Sequence, residues 1–290
     1  MKVPSNSVRT VRSYYTAQLE PLYGKRESGQ MIHLLLAHYF RLDRVKIALQ
    51  PELRLSESEL LQLHFAVKDL LLHKPLQYVL GETEFCGRRF IVRPGVLIPR
   101  PETEQLITLI EQDATTQHPL VIMDIGTGSA CIAVSLALAF PGAEVLAFDV
   151  SDDAMQLSQE NATLNGAQIK FIKADLLSEM HLYTPFKADI IVSNPPYVRQ
   201  SEQKLMRKNV TEWEPHEALF VSDDDPLIFY RALAQLASGN LKNEGSLWVE
   251  INEHLGNKVE ALLASFGFSG IQCYQDFHGN DRFVRALKKD

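Results

Sequence analysis

The chain has 290 residues, 46% of them hydrophobic and 22% charged, and a formal net charge of −7, which suits a soluble globular protein of one large domain, or a large domain plus a small one. No apolar run is long enough to cross a bilayer, and the basic start MKVPSNSVRTVRSYY lacks the apolar stretch of a secretory signal, so a cytoplasmic protein is expected, with a short organelle-targeting start as the alternative. The acidic balance speaks against nucleic acid as the main partner, and the scattered Cys86, Cys131 and Cys273 fit neither a zinc site nor a disulfide framework, so no metal is expected.

Residues 1 to about 80 read as helical. Met31 to Phe40 is one apolar helical stretch. Ser56 to His73 is a clearer one: Ser56 and Glu59 have the spacing of a capping box, and Leu60, Leu63, Val67, Leu70 and Leu71 follow on one face. Lys74-Pro75 closes this region. TEFCGRRFIV and GVLI, separated by Arg93-Pro94-Gly95, are β-type runs that predict a small hairpin connector over 81–99. From about residue 100 strand-like and helical runs alternate. Strands are predicted at 120–125, 144–149, 169–174, 188–193 and 246–251, and helices at 131–140, 152–164, 226–240 and about 255–266. That alternation is the mark of an α/β doubly wound, mostly parallel sheet. The last two β-type runs, 270–276 and 282–287, lie too close for a crossover helix and should pair antiparallel.

The first strand of this region runs into Asp124-Ile-Gly126-Thr127-Gly128-Ser129-Ala130. Glycines at such a bend let the backbone approach a ligand at the carboxyl edge of the sheet. A dinucleotide fingerprint wants a third glycine where Cys131 stands. The acidic Asp124 would repel phosphate but could orient the ammonium of S-adenosyl-L-methionine. Asp149, ending the second strand, can accept both ribose hydroxyls, a role that NAD would use equally. Asp175 is placed to meet an adenine amino group, or to cap a helix before Leu176-Leu177, or both.

The fourth strand ends in Ser193-Asn194-Pro195-Pro196-Tyr197. Two prolines fix φ, and each pushes the residue before it into the extended region, so Asn194 and Pro195 are held extended at the sheet edge. An amide or aryl amine is a poor nucleophile because its lone pair is delocalised. Acceptors on its two N–H groups, here the Asn194 side-chain oxygen and the Pro195 carbonyl, would draw the nitrogen out of conjugation and aim it at a methyl donor. Tyr197 could stack on the planar acceptor or lie near a sulfonium. Alone, the motif would also serve as a rigid turn.

Taken together, these stretches resemble the HemK/PrmC family, which methylates the glutamine of the Gly-Gly-Gln loop in class I peptide release factors. The resemblance spans nearly the whole chain: the helical N-terminus, Gln77-Tyr78 and Gly81, Glu84-Phe85, Ile98-Pro99-Arg100-Pro101-Glu102-Thr103-Glu104, DIGTGS, SNPPY, Glu214-Pro215 and Gly279-Asn280-Asp281-Arg282. It implies a class I (Rossmann-like) methyltransferase domain over 100–290 with an antiparallel last strand, and a small α-helical domain over 1–80 that docks the substrate. It further implies S-adenosyl-L-methionine held by Gly126, Thr127, Gly128, Ser129, Ala130, Asp149, Asp175 and Leu176, with Asn194 bordering it. Asn194, Pro195, Pro196 and Tyr197 then form the glutamine pocket. Arg100, Pro101, Glu102 and Thr103 line the cofactor or acceptor side, or else form a structured linker. The partner implied is a class I release factor, with no membrane and no direct nucleic-acid partner, and the protein is expected to be a monomer.

The sequence departs from the family at two points. Ala130 replaces a common glycine, which keeps the turn if its φ is negative, and Leu176 replaces an aromatic residue of some relatives, which would weaken adenine stacking. Three alternatives are a nucleic-acid amino-methyltransferase working on an adenine or guanine amine, a dehydrogenase using the same sheet, and a non-catalytic binding module. His216 and His278 lie near the motifs, where packing or surface roles are expected.

Overall fold

The structure is a computed structural model that describes residues 3–50, 52–114, 119–179, 183 and 185–289. It divides into two compact units, Met1–Gly81 with Arg207–Trp213, and Glu82–Met206 with Glu214–Asp290.

The first unit holds α1 (Val8–Phe40), α2 (Arg44–Leu49), α3 (Glu57–Leu71), α4 (Leu76–Leu80) and, from the later segment, the short helix Lys208–Thr211. The helix expected to begin at Met31 is the last third of a 33-residue element. Pro21 removes a donor and Gly24 leaves helical geometry at φ 75°, so α1 bends where two shorter helices would otherwise be read. The capping box of α3 is complete, the Ser56 hydroxyl accepting from Glu59 N and the Glu59 carboxylate from Ser56 N. Leu60, Leu63, Ala66, Val67 and Leu70 of α3 are buried against Val11, Tyr15, Leu19 and Leu35 of α1. Leu71 is not on that face: one residue on from Leu70 it has turned about 100° and is exposed. The Trp213 indole donates to Leu72 O, and Lys74 lies 5.7 Å from the Trp213 ring centre.

The second unit opens with the hairpin β1 (Glu82–Phe85) and β2 (Arg88–Ile91). Its turn is Cys86-Gly87, not Arg93-Pro94-Gly95, and GVLI forms no strand. Cys86 at φ 49° and Gly87 at φ 69° supply the two left-handed residues that a two-residue hairpin turn needs. Then come α5 (Pro101–Asp113), β3 (Val121–Ile125), α6 (Cys131–Ala139), β4 (Glu144–Asp149), α7 (Asp152–Asn165), β5 (Lys170–Lys173) and β6 (Ala188–Ser193). The strand pair β7 (Val198–Arg199) and β8 (Phe220–Val221) precedes α9 (Ile228–Asn240), with α8 being the Lys208–Thr211 helix above. The chain ends with β9 (Leu241–Glu250), α10 (Gly256–Ser265), β10 (Ser269–Gln275) and β11 (Asp281–Leu287).

Among the described residues, seven strands form one sheet in the order β10-β11-β9-β6-β3-β4-β5. All pairings are parallel except those of β11, which runs antiparallel to both β9 and β10, one place in from the edge. Strand β9 starts five residues before the expected Ser246. Its polar Asn243-Glu244-Gly245, with Glu244 at φ 63° and a register shift opposite Ala188–Ile190, hide the period in the sequence.

Both faces of the sheet are apolar, so its strands read as continuous hydrophobic runs. Met123, Ile125, Ile191, Leu247 and Val249 face α9 and α10, while Ile122, Ile190, Val192 and Trp248 face the side covered by α5 and α6. The reversal of strand order on either side of β3 places the ends of β3, β4, β6 and β9 around one crevice.

Candidate active site

The loop after β3 closes on the end of β4. Gly126 N and Thr127 N both donate to Phe148 O, at 2.8 and 2.9 Å, Gly128 N donates to Asp149 Oδ2 at 2.8 Å, and Ala130 N to Thr127 O at 2.8 Å. Four N–H groups of Gly126–Ala130 are thus spent inside the protein. A phosphate-cradling loop keeps such donors free for its anion, so this loop suits an adenosyl ligand better than a dinucleotide. Gly126 (φ 74°) and Gly128 (φ 55°) are left-handed, and no atom of the described residues lies within 4 Å of where a Cβ at Gly126 would stand, which leaves the backbone open to close approach.

Ala130 is left-handed too, at φ 61°, and fully buried. The condition set on it, a negative φ, is not met: α6 starts at Cys131 directly from a left-handed bend at Ala130, and the turn is kept all the same. Alanine there carries a strain of about 1–2 kcal/mol that glycine would not.

Asp124 is fully buried on the α6 side of β3. Its Oδ2 accepts from the Thr127 hydroxyl at 2.6 Å and, among the described residues, its Oδ1 has no hydrogen-bond partner. Burial pushes its carboxyl up to about 7, against the pull of the Thr127 hydroxyl and the nearby Ala133 N–H. A desolvated carboxyl with an unsatisfied oxygen fits a site that receives a cation such as the ammonium of S-adenosyl-L-methionine. Asp149 accepts from Gly128 N with one oxygen and Ser151 N with the other, and burial raises its carboxyl despite both bonds. It therefore clasps the loop after β3 to the start of α7.

Asp175 closes a turn over Leu176–Ser178, accepting from Leu177 N and the Ser178 hydroxyl, and caps no helix among the described residues. Leu176 packs into the core against the α9 side of the sheet, while Leu177 points outward. Sequence reasoning missed Asn161 of α7, which is fully buried and ties Ser129 O to both backbone groups of Ile91 at 2.7–3.0 Å. A lone asparagine inside a helix gives no sequence signal of that reach.

At the end of β6 the Ser193 hydroxyl donates to Ile125 O, joining the two central strands. Asn194 turns its side-chain nitrogen to Thr103 Oγ1 at 3.4 Å, which leaves its oxygen facing the other way. Pro195 is buried and Pro196 half-buried. Tyr197 packs its ring against the α9-side core and donates its hydroxyl to Glu250 Oε1 at 2.9 Å. The Thr103 hydroxyl donates to Glu250 Oε2 at 2.7 Å. Glu250, at the end of β9 and 1% exposed, was not singled out by sequence reasoning, since one acid closing an apolar strand has no motif around it.

Of the Arg100–Thr103 stretch, Thr103 alone reaches this cluster. Arg100 pairs with buried Glu214 at 2.7 Å, and Glu214 also accepts from Ile98 N, so this pair anchors the segment. Pro101 and Glu102 form the first turn of α5. Arg282 donates to Asp276 at 3.1 Å and to Ile251 O, beside Glu250. His216 packs edge-on against Phe220, and His278 N closes the turn on Asp276.

Two families match parts of the chain. Residues 11–81 match the family described as PrmC N-terminal domain, and residues 102–213 match the Methyltransferase small domain. A release factor glutamine methyltransferase of Flavobacterium psychrophilum is 43% identical over 282 residues, 96% of this chain and 98% of that protein. The protein of the same name from Bacteroides thetaiotaomicron is 37% identical, covering 95% and 98%, and that from Enterococcus faecalis 35%, covering 91% and 94%. Among solved structures, a T. thermophilus 16S rRNA methyltransferase in complex with AdoMet and guanosine aligns with TM-score 0.52 and 19% identity over 72% of this chain and 50% of its own. A Pyrococcus furiosus methyltransferase aligns with TM-score 0.50 and 18% identity, over 69% and 89%. These two likenesses speak for the fold: an α/β methyltransferase sheet with helices on both faces.

Proposed function

This chain belongs to the release factor glutamine methyltransferase family, and we propose that it transfers a methyl group from S-adenosyl-L-methionine to the side-chain amide nitrogen of the Gly-Gly-Gln glutamine in a class I peptide release factor. The observation that carries this reading is the orientation of Asn194. Its nitrogen is engaged by Thr103, so its oxygen is the end offered to an incoming N–H. Pro195, fixed between Asn194 and Pro196, offers a carbonyl as the second acceptor. Two acceptors on one NH2 group hold the planar amide in place and pull its nitrogen lone pair out of conjugation. Positioning of that kind is worth up to about 7–11 kcal/mol in favourable systems.

The bound cofactor supplies an electrophilic methyl on a positively charged sulfur. Gly126, Thr127, Gly128, Ser129 and Ala130 would line its methionine end, with Asp124 beneath them as the compensating charge. Asp149 would take the ribose, and Asp175 with Leu176 the adenine. Pro196 and Tyr197 would wall the glutamine pocket. Residues 1–80 would dock the release factor, 81–99 connect, and 100–290 carry the transfer. The protein would act as a monomer in the cytoplasm, where release factors work. The relatives' names favour this acceptor over a nucleic-acid amine.

The test is methyl transfer from labelled S-adenosyl-L-methionine to a purified class I release factor, beside a copy whose Gly-Gly-Gln glutamine is replaced. Label on the intact factor alone is the expected result. Label on both copies, or on neither while the cofactor still binds, overturns the proposed acceptor.

A further inference from the structure

Glu250 belongs to neither of the ligand sites expected from the sequence, yet three elements converge on it. It is buried at the end of β9, and its two carboxylate oxygens accept from the hydroxyls of Thr103 on α5 and Tyr197 after β6. Its backbone carbonyl accepts from the Tyr230 hydroxyl of α9 at 3.1 Å. Arg282 brings positive charge to the same side through its bond to Ile251 O.

A hydroxyl has one proton to give. Thr103 gives its proton to Glu250, so toward Asn194 it can only accept. That forces the Asn194 amide to present nitrogen to Thr103 and oxygen to the pocket. An asparagine amide has two orientations of nearly equal shape, and only one of them offers an acceptor to a substrate N–H. We infer that Glu250 is a positioning residue that sets the polarity of the Asn194 acceptor through the Thr103 hydroxyl, while fixing Tyr197 beside it. The inference rests on the amide-acceptor reading above and adds what holds that acceptor the right way round.

Glu250→Gln tests the polarity directly. A carboxylate accepts from both hydroxyls, whereas a glutamine amide accepts at one end and donates at the other, so one hydroxyl must turn. Thr103→Val removes the relay without changing shape, and Thr103→Ser restores it. For transfer to the release factor, Thr103→Val and Glu250→Gln should each lower kcat by about 10-fold or more, the usual effect of losing one aligned hydrogen bond. The KM for S-adenosyl-L-methionine should stay within about threefold. Thr103→Ser should recover most of the loss, and the double variant should be no slower than the worse single one.

Turnover and cofactor affinity falling together, or losses that multiply in the double variant, would overturn the relay. So would wild-type kcat in both single variants. A second readout needs no methyl acceptor. The Asn194 side-chain NH2 signal, assigned in ¹⁵N-asparagine-labelled protein by its loss in Asn194→Ala, should shift in Thr103→Val and in Glu250→Gln and stay put in Thr103→Ser. An unmoved signal in folded variants refutes the inference. A wild-type protein that methylates no release factor while this signal moves would leave the relay standing and remove only the assigned substrate.

Discussion

Asp124→Asn replaces a buried acid by a neutral group of the same shape. In the folded protein burial raises the Asp124 carboxyl from 3.8 to about 7. The native state therefore holds this proton more tightly than the unfolded chain. Between about pH 4 and 7 the folded state binds more protons, so stability falls as pH rises through that window and stays reduced above it. Roughly three pH units at about 1.4 kcal/mol each give an upper value of ~4 kcal/mol for the penalty at pH 8. Asparagine escapes that penalty and can still accept from the Thr127 hydroxyl. It also leaves an NH2 where Oδ1 has no partner, which returns about 1–3 kcal/mol.

The net expectation is a variant more stable than wild type by about 1–3 kcal/mol at pH 8, from the difference of those two effects, and no more stable at pH 4.5. Urea unfolding of the cofactor-free proteins at pH 4.5, 6 and 8 measures the difference. The cofactor should reverse it, since a cation beside Asp124 favours the ionised acid, and S-adenosyl-L-methionine should bind the variant more weakly than wild type at pH 8. Stability curves that run parallel across pH would refute the reasoning, because they would mean that Asp124 takes up no proton on folding.

Four further outcomes are expected. Asn194→Ala should cut methyl transfer by about 100-fold, the scale of losing one preorganised hydrogen-bonding group, with S-adenosyl-L-methionine affinity within a few-fold by calorimetry. Asp149→Ala should do the reverse first, weakening cofactor binding by about 10-fold or more as the Gly128 and Ser151 N–H groups lose a charged acceptor. Ala130→Gly should alter stability by less than about 1 kcal/mol, because relief of left-handed strain is offset by the lost buried methyl and by backbone entropy. Ala130→Val should cost more than that, since a branched side chain is poorly tolerated at φ 61°. Thermal unfolding of the two Ala130 variants checks the contrast.

Local chemistry carried much of the fold and site in the sequence alone. The capping box at Ser56 and Glu59, the strand runs at 120–125, 144–149 and 188–193, and the glycine bend after Asp124 are short-range patterns, and each can be read from neighbours in the chain. The two prolines after Asn194 likewise fix the backbone there, whatever surrounds them. What joins distant segments could not be read that way. The turn at Cys86-Gly87, the left-handed Ala130, and the placement of Arg207–Trp213 with the N-terminal helices all depend on where the rest of the chain packs. Glu250 is the clearest case. It lies 147 residues from Thr103 and 53 from Tyr197, and only the parallel pairing of β9 beside β6 brings its carboxylate to both hydroxyls. The sequence determined which groups can accept a proton. Tertiary structure decided which way each one faces, because a hydrogen bond has direction and its direction is set by partners far away in the chain.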